Sequence, residues 1–296
     1  AWQRLLVFYT GSDTMSISLI VTAFMSGLGI GYLFGGKLAD RATPERNLRY
    51  FVLAELGILL FALVSKVLLY DGLYAIVPAT SSPVVLYGLL FLVLLVPTFL
   101  MGVSLPVLSK AFRFGAIADQ ARFIGHLYFV NTLGAAIGAL VTGVFLVRIL
   151  GYEHTILVGA VLNGCCAIGA LLLGLGKAPT REAPASAVVS LPAPLVLSKR
   201  FMLWCGHYAL SGFAALTMEL IWFRVLGSLI KSIAITFSIL LTIYLGCMAI
   251  GTYVGTRIAK RRSSEAVERL FLRAQIALYI YTGLAFIVFV ALLGHW

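Results

Sequence analysis

Charge is scarce in this sequence: 22 basic and 11 acidic residues in 296, so that only 11% of the chain is charged. Soluble domains carry roughly a quarter of their residues as Asp, Glu, Lys and Arg, which excludes an ordinary water-soluble globule. Cysteine is rare too. Cys165, Cys166, Cys205 and Cys247 all fall inside apolar runs, with neither metal-ligand nor disulfide spacing, and read as packing residues. No metal site and no cofactor are expected. No signal peptide is recognisable. The glycines of Gly27-Leu28-Gly29-Ile30-Gly31 sit within a membrane span, where the dinucleotide-loop reading fails, and the residues present hold no catalytic motif.

What is abundant is apolar sequence. Hydrophobic residues make up 61% of the chain, and mean hydropathy is +1.03. Apolar runs at 14–39, 48–69, 83–110, 124–150, 154–176, 201–226, 232–259 and 269–294 are each long enough to cross a bilayer, which takes about 20 residues. The expected fold is therefore all-α, a polytopic membrane helical bundle. Residues 1–176 form a first membrane half, 177–200 a linker rich in Ala, Pro, Ser and charge, and 201–296 the first three spans of a second half. The first ten residues are too few to span. They read as the end of a truncated first helix, and a natural continuation is expected beyond Trp296.

Basic residues mark alternate connections: 17 of them lie in four connections, among them Arg41, Lys110, Lys199 and Arg261, against Lys66, Arg148 and Lys231 in the others. By the positive-inside rule the basic side is cytoplasmic. The net charge of +11 is then explained by anionic headgroups, with no need of nucleic acid. The expected partners are the lipid bilayer and either other membrane proteins or helices of this protein outside the sequence.

Shifting the sequence by 220 positions lays Trp222–Arg261 on Trp2–Arg41 without a gap, with 11 identities in 40 positions, including Trp2/Trp222, Gly31/Gly251 and Gly35/Gly255. About 3 would be expected by chance in this composition, so the alignment points to duplication. The repeat carries a packing face. Ala23, Gly27, Gly31, Gly35 and Ala39 recur every fourth residue, matched by Cys247, Gly251, Gly255 and Ala259, and such faces let membrane helices approach closely. The duplication also maps Glu219 to a position two residues before Ala1, where an acidic residue is expected.

Two parallel repeats joined by a cytoplasmic linker form the plan of major facilitator transporters. Gly36-Lys37-Leu38-Ala39-Asp40-Arg41 resembles their G-x-x-x-D-[RK] signature, with Ala42-Thr43-Pro44 in place of the usual downstream residues and Thr256 and Lys260 in the second copy. Three stretches, Pro97–Pro106, Leu127–Ala135 and Ser211–Arg224, resemble the membrane part of the bacterial fused transporter/spermidine synthase family. The resemblance implies a multi-pass protein of the bacterial cytoplasmic membrane. It further implies a polyamine-like substrate and an aminopropyltransferase domain after the helices, which these residues do not contain.

Ionisable groups within spans are functional candidates. Glu55, some 10 Å into its helix, is a candidate for cation binding or proton relay, and equally for a protonated or hydrogen-bonded structural carboxyl. Glu219 and Arg224, with Trp222 between them, read as a charge network fixing the halves, or as an outer gate or substrate carboxylate. Asp40 and Arg41 belong to the signature loop. His126, Asn131 and His207 read first as helix-helix hydrogen-bonding groups. Pro97 and Pro106 each remove a backbone donor, which suits a gating helix. Two functions are open: a transporter-like module for a small cationic substrate, and a non-catalytic anchor or accessory subunit of a larger complex.

Overall fold

The computed structural model describes residues 13–72, 82–112, 117–175, 199–230 and 233–293. These are helical throughout: α1 (Asp13–Arg41), α2 (Pro44–Lys66), α3 (Pro83–Lys110), α4 (Ile117–Val141), α5 (Val147–Leu175), α6 (Lys199–Ile230), α7 (Ile233–Lys260) and α8 (Ser264–Leu293). Single π-helical turns follow α2 at Val67–Gly72 and α4 at Thr142–Leu146. Seven stretches are long and apolar enough to cross a membrane, and one of them, Asp119–Gly174, runs 56 residues. A straight helix of that length would measure about 84 Å, against a hydrocarbon core of about 30 Å. The chain breaks instead at Gly151, whose φ of 72° is open to glycine at no steric cost. Eight spans result, as the apolar runs predict. Residues 1–12, where the end of a first helix is expected, and the expected linker as far as residue 198 lie outside the described residues.

Several helices start earlier than their apolar runs. α2 begins at Pro44 rather than 48, because Thr43 caps it by accepting from the Arg46 amide at 3.4 Å, Pro44 takes the first turn and Glu45 faces the helix dipole. α4 begins at Ile117 rather than 124, and α8 at Ser264 rather than 269. In each case the first turns are charged, which hydropathy reads as loop.

Packing follows alternating chain directions. α1 and α3 run parallel and touch along the small-residue face: a Cβ on Gly27 would strike Thr98, one on Gly31 would lie 2.8 Å from the Gly102 Cα, and one on Gly35 would lie 2.9 Å from the Val103 Cα. The Thr98 hydroxyl lies 3.2 Å from the Ala23 carbonyl and 2.9 Å from that of Leu94, to which it donates. α2 and α5 run antiparallel, with Leu48 against Gly174, Leu59 against Gly164 and a Lys66–Glu153 ion pair of 2.8 Å at the far end. α4 and α7 pair antiparallel, joining the helices before residue 176 to those after residue 198. Gly125 meets Thr256, Phe129 stacks on Tyr253 at 5.2 Å, the Tyr128 hydroxyl donates to Met248 Sδ at 3.9 Å, and Gly143 meets Ser238.

The second small-residue face differs from the expectation. Gly251 and Gly255 are exposed, and a Cβ at either would meet nothing within 4 Å. The cause is which helix carries the contact: the first face is covered by α3, and among the described residues no helix lies against the second.

Candidate functional site

α1 meets α6 and α7 around a cavity of about 10 Å³, lined by Ile17, Val21, Leu216, Glu219, Leu220, Phe223, Phe237 and Leu240. That is space for about one water molecule. Glu219 is the ionisable residue in the lining, half-buried among aliphatic and aromatic walls. Among the described residues it forms no ion pair and accepts no hydrogen bond. Arg224 lies five positions on, about 140° around the helix at 3.6 residues per turn, and is exposed. The two therefore stand on different faces of α6, as their spacing in the sequence leads one to expect. Trp222 packs edge-on against Phe289 of α8 at 5.3 Å, while Phe223 is buried against Phe237 of α7.

The structure links Glu219 to Tyr244 of α7, and Tyr244 in turn to tyrosines on α4 and α6, none of which the sequence reading singled out. Tyr244 of α7 lies within electrostatic reach of Glu219, Tyr128 and Tyr208, and Tyr128 of α4 within reach of Tyr208 and of Tyr32 of α1. Tyr128 also hydrogen-bonds the buried Thr132 one turn on. Each of these tyrosines, like Glu219, stands more than two turns from either end of its helix at 3.6 residues per turn. That depth was the available signal. Interfacial tyrosines belong near helix ends, and tyrosine at mid-span asks for a polar partner.

The other candidates lie elsewhere. Glu55 is buried on α2, and because that helix starts at Pro44 it sits about 17 Å from its beginning, deeper than the sequence suggests. Its electrostatic neighbour is Cys166 of α5, within one repeat. His126 points its Nδ1 back to the Arg122 carbonyl of its own helix at 2.9 Å, and both it and Asn131 are exposed. Asp40 pairs with Lys110 at 3.1 Å, tying the end of α1 to the end of α3, while Arg41 is exposed. Beside them Asn47 donates to the Ala39 carbonyl at 3.1 Å from a buried position, and its Oδ1 has no partner. α3 continues through both Pro97 and Pro106. Ser109 donates to the Pro106 carbonyl at 2.7 Å. His207 stands among aromatic rings, 6.0 Å from Trp204 and 6.3 Å from Phe271, with its Nε2 buried and unpartnered.

No family model, no curated protein and no solved structure matches the chain. Its helices define a multi-pass membrane protein. Among the described residues no group of three or more His, Cys, Asp or Glu is arranged to hold a metal ion.

Proposed function

We propose that the chain is a transporter-like module of the bacterial cytoplasmic membrane, with its basic connections inside, that handles a small organic cation at the junction of its two repeats. The observation that carries this reading is Glu219. A carboxylate without an ion-pair partner faces a cavity to which both repeats contribute, through α1 on one side and α6 and α7 on the other. A charge in such surroundings is costly and persists where a ligand or a proton compensates it. The antiparallel seam of α4 and α7 supports the same reading, since it joins the repeats through small residues that two bundles can slide or tilt upon. The resemblance of Ser211–Arg224 and Pro97–Pro106 to the transporter/spermidine synthase family supports a cationic substrate.

The test is uptake of radiolabelled spermidine and tetraethylammonium into proteoliposomes holding the protein. Saturable uptake above protein-free vesicles is expected for at least one of them. If folded protein moves neither, the transport reading fails. The alternative, an accessory subunit or membrane anchor, is favoured by one observation: the face of Gly251 and Gly255 stands uncovered, ready for another helix.

A further inference from the structure

Glu55 takes no part in the proposed transport site, and its own surroundings set its chemistry whether or not the chain moves a solute. Along α2, Leu48, Val52, Glu55 and Leu59 follow one another at intervals of four, three and four residues, which places them in one row on the helix. Three members of that row are fixed against α5. Leu48 meets Gly174, a Cβ on Gly164 would lie 3.1 Å from the Leu59 Cδ1, and Val52 shares a buried cluster with Ala167 and Ala170. Glu55, between Val52 and Leu59, is therefore enclosed in the seam of α2 and α5, and only 8% of it is exposed.

It has no partner there. Among the described residues Glu55 forms no ion pair and accepts no hydrogen bond. From α5 the titratable group beside it is the Cys166 thiol, with Cys165 next to that. α3, the other helix packed on α2, carries no titratable group between Tyr87 and Lys110, and Lys110 is held by Asp40 at 3.1 Å. On α2 itself, Arg46 and Arg49 are exposed towards the start of the helix. Lys66 stands 11 residues on from Glu55, about 17 Å at 1.5 Å per residue, and is paired with Glu153 at 2.8 Å. Since Glu55 is also about 17 Å from Pro44, it sits at the middle of its span. An isolated carboxylate so placed costs far more than a neutral acid, and such a group sheds its charge rather than keep it.

We infer that Glu55 is a proton-binding site that locks the seam of α2 and α5: the seam closes on the neutral acid, and parting it admits water and releases one proton. In that step the O–H bond of the carboxyl breaks, the proton passes to water, and the carboxylate stays on α2, hydrated in the gap. Closing takes up the proton that parting gives back, so acid holds the seam shut and alkali favours the parted form.

Infrared difference spectra, wild type minus Glu55→Gln, of the full chain in lipid nanodiscs at neutral pH test the first half. The carbonyl stretch of a neutral carboxylic acid, shifted in deuterium oxide, is expected. Carboxylate bands in its place would overturn the inference. The second half is read at Val52→Cys, which is buried one turn from Glu55 against α5, in a background without the four native cysteines. Its rate of reaction with a water-borne methanethiosulfonate is measured with and without Glu55→Gln, from neutral pH upwards. The thiol ionises in both backgrounds, so the ratio of the two rates isolates the carboxyl. That ratio should rise with pH by about tenfold per unit, the slope of one released proton. A flat ratio in folded protein would overturn the lock. Circular dichroism shows whether each variant is folded, and Glu55→Ala replaces Glu55→Gln in both measurements if the latter does not fold. Neither readout uses uptake, so a chain that moves no solute refutes transport and leaves this site standing.

Discussion

Two glycines at equivalent places in the repeat have opposite surroundings, and they make the sharpest comparison at single-residue scale. A side chain on Gly31 runs into the backbone of α3, at Gly102 and at the Phe99 carbonyl, where no rotamer change relieves it. Gly31→Leu should destabilise the protein by about 1–3 kcal/mol, as overpacking does, and lower its melting temperature in detergent. Gly251→Leu meets open space in this chain and should stay within about 0.5 kcal/mol. Equal effects of the two substitutions would show that the second face is covered as the first is. Asn47 offers a second test. Its Nδ2 is the partner of the Ala39 carbonyl in a buried position, so Asn47→Leu should cost about 1–3 kcal/mol for the donor lost to that carbonyl, read from the same melting curves. The sequence made the first glycine face legible because its spacing of four carries the packing rule directly. It gave no hint that the second would stand bare, since which helix covers a face is a property of the whole bundle. Asn47 was invisible for another reason: it lies among Arg46, Arg49 and Pro44, and polar context reads as loop.

Among the helices, the element that decides the topology is the reversal at Gly151. Eight spans were legible from apolar runs alone, yet their starts were late wherever a helix opens with charged turns, as α2, α4 and α8 do. Hydropathy locates the membrane-embedded part of a helix, whereas capping residues such as Thr43 locate its beginning. The turn at Gly151 needs a positive φ, so Gly151→Val should cost about 1–3 kcal/mol through backbone strain and reduce the amount of folded protein recovered from membranes. The direction of each helix follows from the same reversal. With Asp40 paired to Lys110 at one end of the bundle and Lys66 paired to Glu153 at the other, single cysteines replacing Lys110 and Arg261 should label from the same side of the membrane. A cysteine replacing Glu153 should label from the opposite side. Labelling of Lys110→Cys and Glu153→Cys from one side would overturn this arrangement.

At the scale of the molecule, α4 and α7 join the helices before residue 176 to those after residue 198, and the small cavity at Glu219 lies between α1, α6 and α7. The sequence singled out Glu219 but not Tyr244, because the two stand on different helices and only the packing of those helices brings them together. Cysteines at Gly125 and Thr256, in a background without the four native cysteines, should form a disulfide on oxidation, because a Cβ on Gly125 would lie 3.6 Å from that of Thr256. Failure of that pair to oxidise in folded protein would refute the seam. The contacts of Gly125 with Thr256 and of Gly143 with Ser238 also set a lever. They are 18 residues apart along α4 and the π-helical turn that follows it, about 27 Å along the axis at 1.5 Å per residue, which nearly matches the hydrocarbon thickness of about 30 Å. With one contact as fulcrum, a tilt of about 10° between the repeats would part the other by about 5 Å over that length, roughly the width of an ammonium group with its methyls. The spacing of the two glycines thus fixes how small a rotation would part the seam by that width.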